Sequence, residues 1–125
     1  MSTDLYPSEE QEQEQIFQWM RIAQGAEPDL GMLYAIPNGG FRTPATAARL
    51  KATGVRAGVP DMCLPVPRGK YHGLYIELKK KKGGTVSAAQ KSWLLMLERQ
   101  GYKCSVCHGA EAAIDLIKAY LEGKA

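Results

Sequence analysis

Three residues near the middle of the chain have the types and spacing of a hard-cation site. Asp61 follows "GVP" at 58–60, and Glu77 and Lys79 stand two apart in "YIELKKKK" at 75–82. Side chains alternate along a strand, so Tyr75, Glu77 and Lys79 share one side and Leu74, Ile76 and Leu78 the other. If the strand that Asp61 opens pairs with 73–79 as a hairpin, the two carboxylates meet at one end of a sheet. Converging carboxylates with backbone oxygens suit Mg²⁺ or Mn²⁺. A lysine beside them can orient or activate a cation-bound water and stabilise developing negative charge. Glu-x-Lys alone also describes an exposed ion pair on a sheet edge. The preceding residues shift the balance: Pro60 fixes the approach to Asp61, and Gly58 lets another segment come close.

The elements that must position these groups follow from caps and periodicity. Ser8 caps a helix to about Gln24, with Glu9, Glu10 and Glu12 at its positive end. Positions 9, 12, 16, 19, 20 and 23 fall on one face of that helix, so a third acid from its first turns can reach the site. "MLYAIP" (32–37) is a strand and "NGG" (38–40) a turn. Thr43 and Pro44 start a short helix that Gly54 stops. Strands are expected at 61–66 and 73–79, and a flexible basic loop at "KKKGGT". Ser87 caps a helix ending at Gly101. "YKCSVC" (102–107) is a strand, and 109–121 a final amphipathic helix. Trp19 and Trp93 fit helix core faces better than base-stacking platforms. The order predicts a single mixed α/β domain over 1–125, with 1–7 as a flexible tail.

The composition excludes several classes. The chain has 125 residues, enough for one hydrophobic core, with 45% hydrophobic and 23% charged residues. No apolar run approaches the ~20 residues of a membrane span. The acidic, polar start does not read as a signal peptide, and three cysteines fit a reducing cytoplasm. Net charge is +3, but residues 1–31 hold seven acids against Arg21, so the rest carries +9. A basic body suggests a polyanionic partner. "CSVCH" (104–108) matches a haem-attachment pattern, yet in a strand Cys104 and Cys107 face opposite ways, which disfavours a joint metal site.

"IPNGG" (36–40), "GVRAGVPD" (54–61), "IELK" (76–79), Gln90 in the next helix and "LERQGYKCSVC" (97–107) occur in order. Together they resemble the PD-(D/E)XK nuclease superfamily and, within it, the VRR-NUC family, whose small standalone members are often carried by phages and prophages. The resemblance spans roughly 8–121. It implies a restriction-endonuclease-like fold, a mixed central β-sheet flanked by helices. It also implies a metal-dependent endonuclease cutting DNA phosphodiesters with Mg²⁺ or Mn²⁺. Asp61, Glu77 and the Leu78 carbonyl would bind the cation, Lys79 would position the attacking water, and Gln90 would support the site. A first-helix glutamate, Glu12 by preference or Glu9, would stand near the cation. Lys80, Lys81 and Lys82, with Asn38, Arg42 and Arg56, are DNA-facing candidates, since phosphate contacts supply affinity. The family further implies a Holliday junction resolvase acting as a homodimer, in a bacterial cytoplasm and encoded by a host or phage genome. A flap- or nick-directed repair nuclease and a non-catalytic DNA-binding module are the alternatives.

Overall fold

Two capping boxes set the ends of the two helices that matter most. The side chain of Ser8 accepts from the Gln11 N–H and that of Gln11 accepts from the Ser8 N–H, starting α1 (Glu9–Ala23); Ser87 and Gln90 do the same for α3 (Ala88–Arg99). The computed structural model describes residues 5–37 and 43–125. Between and after these helices come β1 (Tyr34–Ala35), α2 (Pro44–Ala52), β2 (Met62–Leu64), β3 (Leu74–Lys79), β4 (Lys103–His108) and α4 (Ala110–Leu121). Thr43 caps α2 and Pro44 opens it, as read from the sequence. The "NGG" turn, Asn38 and Arg42, and residues 1–4 of the expected tail, lie outside the described residues.

The sheet order is β1-β2-β3-β4, with antiparallel pairing except for β3 and β4, which are parallel. A parallel pair needs a crossover, and α3 supplies it. The register puts Met62, Leu64, Leu74, Ile76, Leu78 and Cys107 on one face. All six are buried there with Ile16 of α1 and Ala113, Ile117 and Tyr120 of α4. Each large apolar side chain buried this way contributes ~1.5–3 kcal/mol. The Tyr120 hydroxyl donates to the Val66 carbonyl at 2.6 Å, so this core leaves that polar group satisfied. The other face carries Tyr75, Glu77 and Lys79, beneath α3.

Three features differ from expectation. A 3₁₀ helix, Pro28–Met32, precedes β1, and β1 keeps only two of the six residues read as a strand. One 3₁₀ turn has too few residues to show a period, and it buries only Leu30. The strand read at 61–66 is shorter, 62–64, with Asp61 just ahead of it. Trp93 is half-buried and α3 buries no residue completely. The reason lies beneath the helix, where the strand face carries Tyr75, Glu77 and Lys79 and has Val106 as its one aliphatic side chain from β3 and β4.

Candidate active site

The Met62↔Ile76 register, continued one step, sets Asp61 across from Glu77. The strand pairing thus delivers both carboxylates to one end of the sheet, as the spacing predicted. Asp61 is anchored on both its backbone and its side chain. Its carbonyl accepts from the Ile36 N–H at 2.8 Å, and its Oδ2 from the Leu78 N–H at 2.6 Å. The segment leading to it lies against the start of α3. A Cβ on Gly58, whose φ is +91°, would fall 2.9 Å from the backbone carbon and Cβ of Ala89. Only glycine meets both that conformation and that approach.

Glu77 and Lys79 are almost fully buried, at 2% and 6% exposure. Lys79 Nζ lies 3.6 Å from Glu77 Oε2 and donates to Gln90 Oε1 at 3.0 Å. Gln90 Nε2 donates in turn to Glu77 Oε2 at 3.2 Å. The same Gln90 Oε1 accepts the Ser87 N–H at 2.9 Å, so the helix cap locks the side chain that holds the lysine and glutamate. Glu77 Oε1 has no hydrogen-bond partner among the described residues.

This arrangement perturbs Glu77 strongly. Burial pushes its carboxyl up to about 8, the Asp61 carboxylate adds to the rise, and Lys79 opposes it. Two close carboxylates cannot both ionise cheaply. Because the folded value lies above the ordinary 4.5, the folded state holds the extra proton. Stability from this group is complete below about 4.5 and is lost as pH rises through about 8. Thermal melts of the metal-free protein are expected to fall between pH 5 and 8, and millimolar Mg²⁺ to reverse the fall. A flat profile without metal would contradict the raised value.

The first helix brings two glutamates to this end by different routes. Glu9 is exposed and, with Glu10, Gln13, Ile36, Pro37, Asp61 and Leu78, lines an open cleft of about 280 Å³. Glu12 is fully buried, and neither carboxylate oxygen has a hydrogen-bond partner among the described residues. It sits under the start of α4. A Cβ on the N-cap Gly109, whose φ is +91°, would come within 2.8 Å of Glu12 Oε2 and 2.7 Å of Lys81 Cγ. Sequence reading missed Gly109, whose only signal was a glycine directly before a helix. The helix dipole favours a negative charge there by ~0.3–2 kcal/mol, against several kcal/mol for desolvating a carboxylate. Glu12→Gln keeps the shape of this unpartnered side chain and removes its charge, and is expected to raise the metal-free melting temperature at pH 7. A lower melting temperature in calorimetry would show that the charge is compensated.

The basic candidates are spread around this end. Lys81 and Lys82 are exposed; Lys80 is half-buried, with His108 Nδ1 3.0 Å from its carbonyl. Arg56 lies over the Trp93 ring, 5.4 Å from its centroid. Cys104 and Cys107 fall on opposite faces of β4, and Cys107 is packed in the core.

The donors fit a small hard cation. Asp61, Glu77 and the Leu78 carbonyl offer oxygen only, and Glu77 Oε1 is buried without a hydrogen-bond partner among the described residues. No group of three acidic, histidine or cysteine ligands gathers among the described residues. A cation held here would keep several of its waters, which is how Mg²⁺ ordinarily binds.

The model of the VRR-NUC domain matches residues 7–111. A solved structure described as a "VRR_NUC domain protein" is 30% identical, with a TM-score of 0.76, over 94% of this chain and 90% of its own. None of the curated proteins matches. No helix among the described residues is long and apolar enough to cross a membrane. Family match, fold and a cluster of buried ionisable groups at one sheet end agree: the chain belongs to the VRR-NUC family, whose domain carries nuclease function on DNA.

Proposed function

We propose that the protein is a divalent-metal-dependent endonuclease that cuts branched DNA, a Holliday junction resolvase working as a cytoplasmic homodimer. The observation that supports this most is the interlocked Glu77–Lys79–Gln90 cluster facing Asp61, with one glutamate oxygen left unpartnered. Asp61, Glu77 and the Leu78 carbonyl hold Mg²⁺ or Mn²⁺, and Glu9 or Glu12 adds negative charge from α1. The cation supplies Lewis-acid neutralisation of charge on the phosphate.

The chain's own groups do the rest. The Leu78 N–H keeps Asp61 aimed across the strand gap. Gln90 holds the Lys79 ammonium beside Glu77, where it orients the attacking water and stabilises charge building on the phosphate oxygens. Lys80, Lys81 and Lys82 follow on the same strand end and meet the backbone, giving affinity that falls with salt. Arg56, Arg42 and Asn38 extend that contact. A four-way junction has two symmetric strands to cut, and a twofold dimer brings two matching sites. The carboxylates argue against a pure binding module, because unpaired acids repel phosphates unless a cation bridges them.

The test uses end-labelled four-way junction, 5′-flap, splayed-arm and plain duplex DNA with Mg²⁺ or Mn²⁺, and sedimentation of the free protein. Paired symmetric cuts in the junction that EDTA abolishes, with a dimeric mass, are expected. Cutting of flaps alone by a monomer would replace this reading with a repair-type nuclease. Binding without cleavage of any substrate would overturn the enzyme.

A further inference from the structure

We infer that a pocket between α3 and the segment before Asp61 takes an unstacked base of the DNA strand next to the cleavage site. The inference rests on the nuclease reading above, independently of the junction preference, and assigns it a substrate feature, unpaired nucleotides within a few positions of the cut. Arg56, Trp93, Met96, Leu97, Arg99 and Gln100 line an open pocket of about 500 Å³. Its lining has an indole, aliphatic and thioether groups and two guanidinium groups, and no carboxylate among the described residues.

Its place in the fold ties it to the reacting centre. Trp93 lies three residues beyond Gln90 on α3, and so on the same face of the helix. The rise between them is ~4.5 Å, comparable with the ~3.4 Å spacing of nucleotides along one strand. Gln90 holds Lys79 at 3.0 Å. Met96 to Gln100 lie six to ten residues beyond Gln90, so the pocket runs on from Trp93 away from Lys79 by ~9–15 Å, a span of about three or four stacked nucleotides. The other wall is set equally firmly. Gly58 packs on Ala89, so Arg56, two residues earlier, lies over the indole at 5.4 Å in the free protein.

The chemistry selects the occupant. A base entering here would displace the Arg56 guanidinium from the half-buried indole and stack in its place, freeing the guanidinium for a phosphate contact. An acidic peptide would use the arginines but leave the indole and Met96, 44% exposed, without a planar partner. A paired base cannot enter, because its faces are already stacked. The pocket therefore favours flaps and splayed arms, which carry unpaired nucleotides, over continuous duplex.

Trp93 reports on this directly, since the chain has two tryptophans. In a Trp19→Phe background, splayed-arm DNA with Ca²⁺ in place of Mg²⁺ is expected to quench Trp93 emission, and blunt duplex to leave it unchanged. Trp93→Leu, in the otherwise unaltered protein, is expected to weaken splayed-arm binding about five- to a hundredfold with little effect on duplex, whereas Arg56→Gln, which also removes a backbone contact, is expected to weaken both. Anisotropy showing bound splayed-arm DNA with unchanged Trp93 emission would overturn the pocket and leave the nuclease reading intact. Equal quenching by blunt duplex would overturn it too. A shift of Trp93 emission with protein concentration alone, tracking dimer formation by sedimentation, would reassign the surface to self-association. Failure to bind or cut any DNA would overturn the nuclease reading itself.

Discussion

Lys79→Met is expected to leave the protein folded and able to bind the proposed cation, and to lower cleavage by ~10²–10⁴-fold, the usual worth of a positioned proton-transfer or charge-stabilising group. The fold survives for a reason specific to this site. Removing one partner of a buried ion pair ordinarily costs ~3–5 kcal/mol, because the remaining charge is stranded. Here the remaining charge has an exit. Glu77 is already pushed up to about 8, and Lys79 is the group that holds it down, so without the lysine the carboxyl takes a proton instead of staying charged. Methionine fills much of the vacated alkyl channel, and Gln90 keeps its bonds to Glu77 and Ser87. Cation affinity, measured by calorimetry, is expected to stay equal or tighten at pH 8, since a neighbouring positive charge has gone. Turnover within tenfold of the parent, with single-turnover rates unchanged, would remove Lys79 from the chemistry.

The parts legible in the sequence are those governed by short-range rules. Ser8, Thr43 and Ser87 fix three helix starts because a side-chain oxygen at the N-cap has few other uses. The two faces of 73–79 were readable because a strand's period is two, and the hairpin register followed from the chain returning at once. The Asp61–Glu77 meeting was therefore visible, and so was the close approach at Gly58. What could not be read depends on which elements pack together. Whether Trp93 is sunk or half-open depends on the strand face below α3, where Glu77 and Lys79 replace an aliphatic layer. The separation of Glu9 from Glu12, three residues apart on one helix face, appears only once α4 closes over Glu12. The 3₁₀ helix before β1 gave no periodic signal at all.

Asp61→Asn separates the charge of that residue from its structural bond. The amide oxygen can accept the Leu78 N–H as Asp61 Oδ2 does at 2.6 Å, so the β2–β3 end keeps its geometry. What disappears is a negative charge beside Glu77. Cation affinity is expected to fall by more than the ~10–100-fold that loss of a supporting hydrogen bond costs a metal site. Cleavage at fixed Mg²⁺ should fall with it and recover partly at high metal. The same change predicts a gain elsewhere. The Asp61 carboxylate helps to raise Glu77, so its removal lowers the folded value of Glu77 toward the ordinary range. By linkage, the metal-free variant loses less stability than the parent as pH rises from 5 to 8. Melts with and without Mg²⁺ at pH 6 and pH 8 read both effects at once. The variant is expected to be the more stable protein without metal at pH 8 and the less stabilised one with it. Unchanged affinity by calorimetry would take Asp61 out of the cation site, and an unchanged pH profile would mean that burial alone raises Glu77. In the metal-free protein the Asp61 carboxylate raises Glu77, whereas around the proposed cation both carboxylates would face one positive partner.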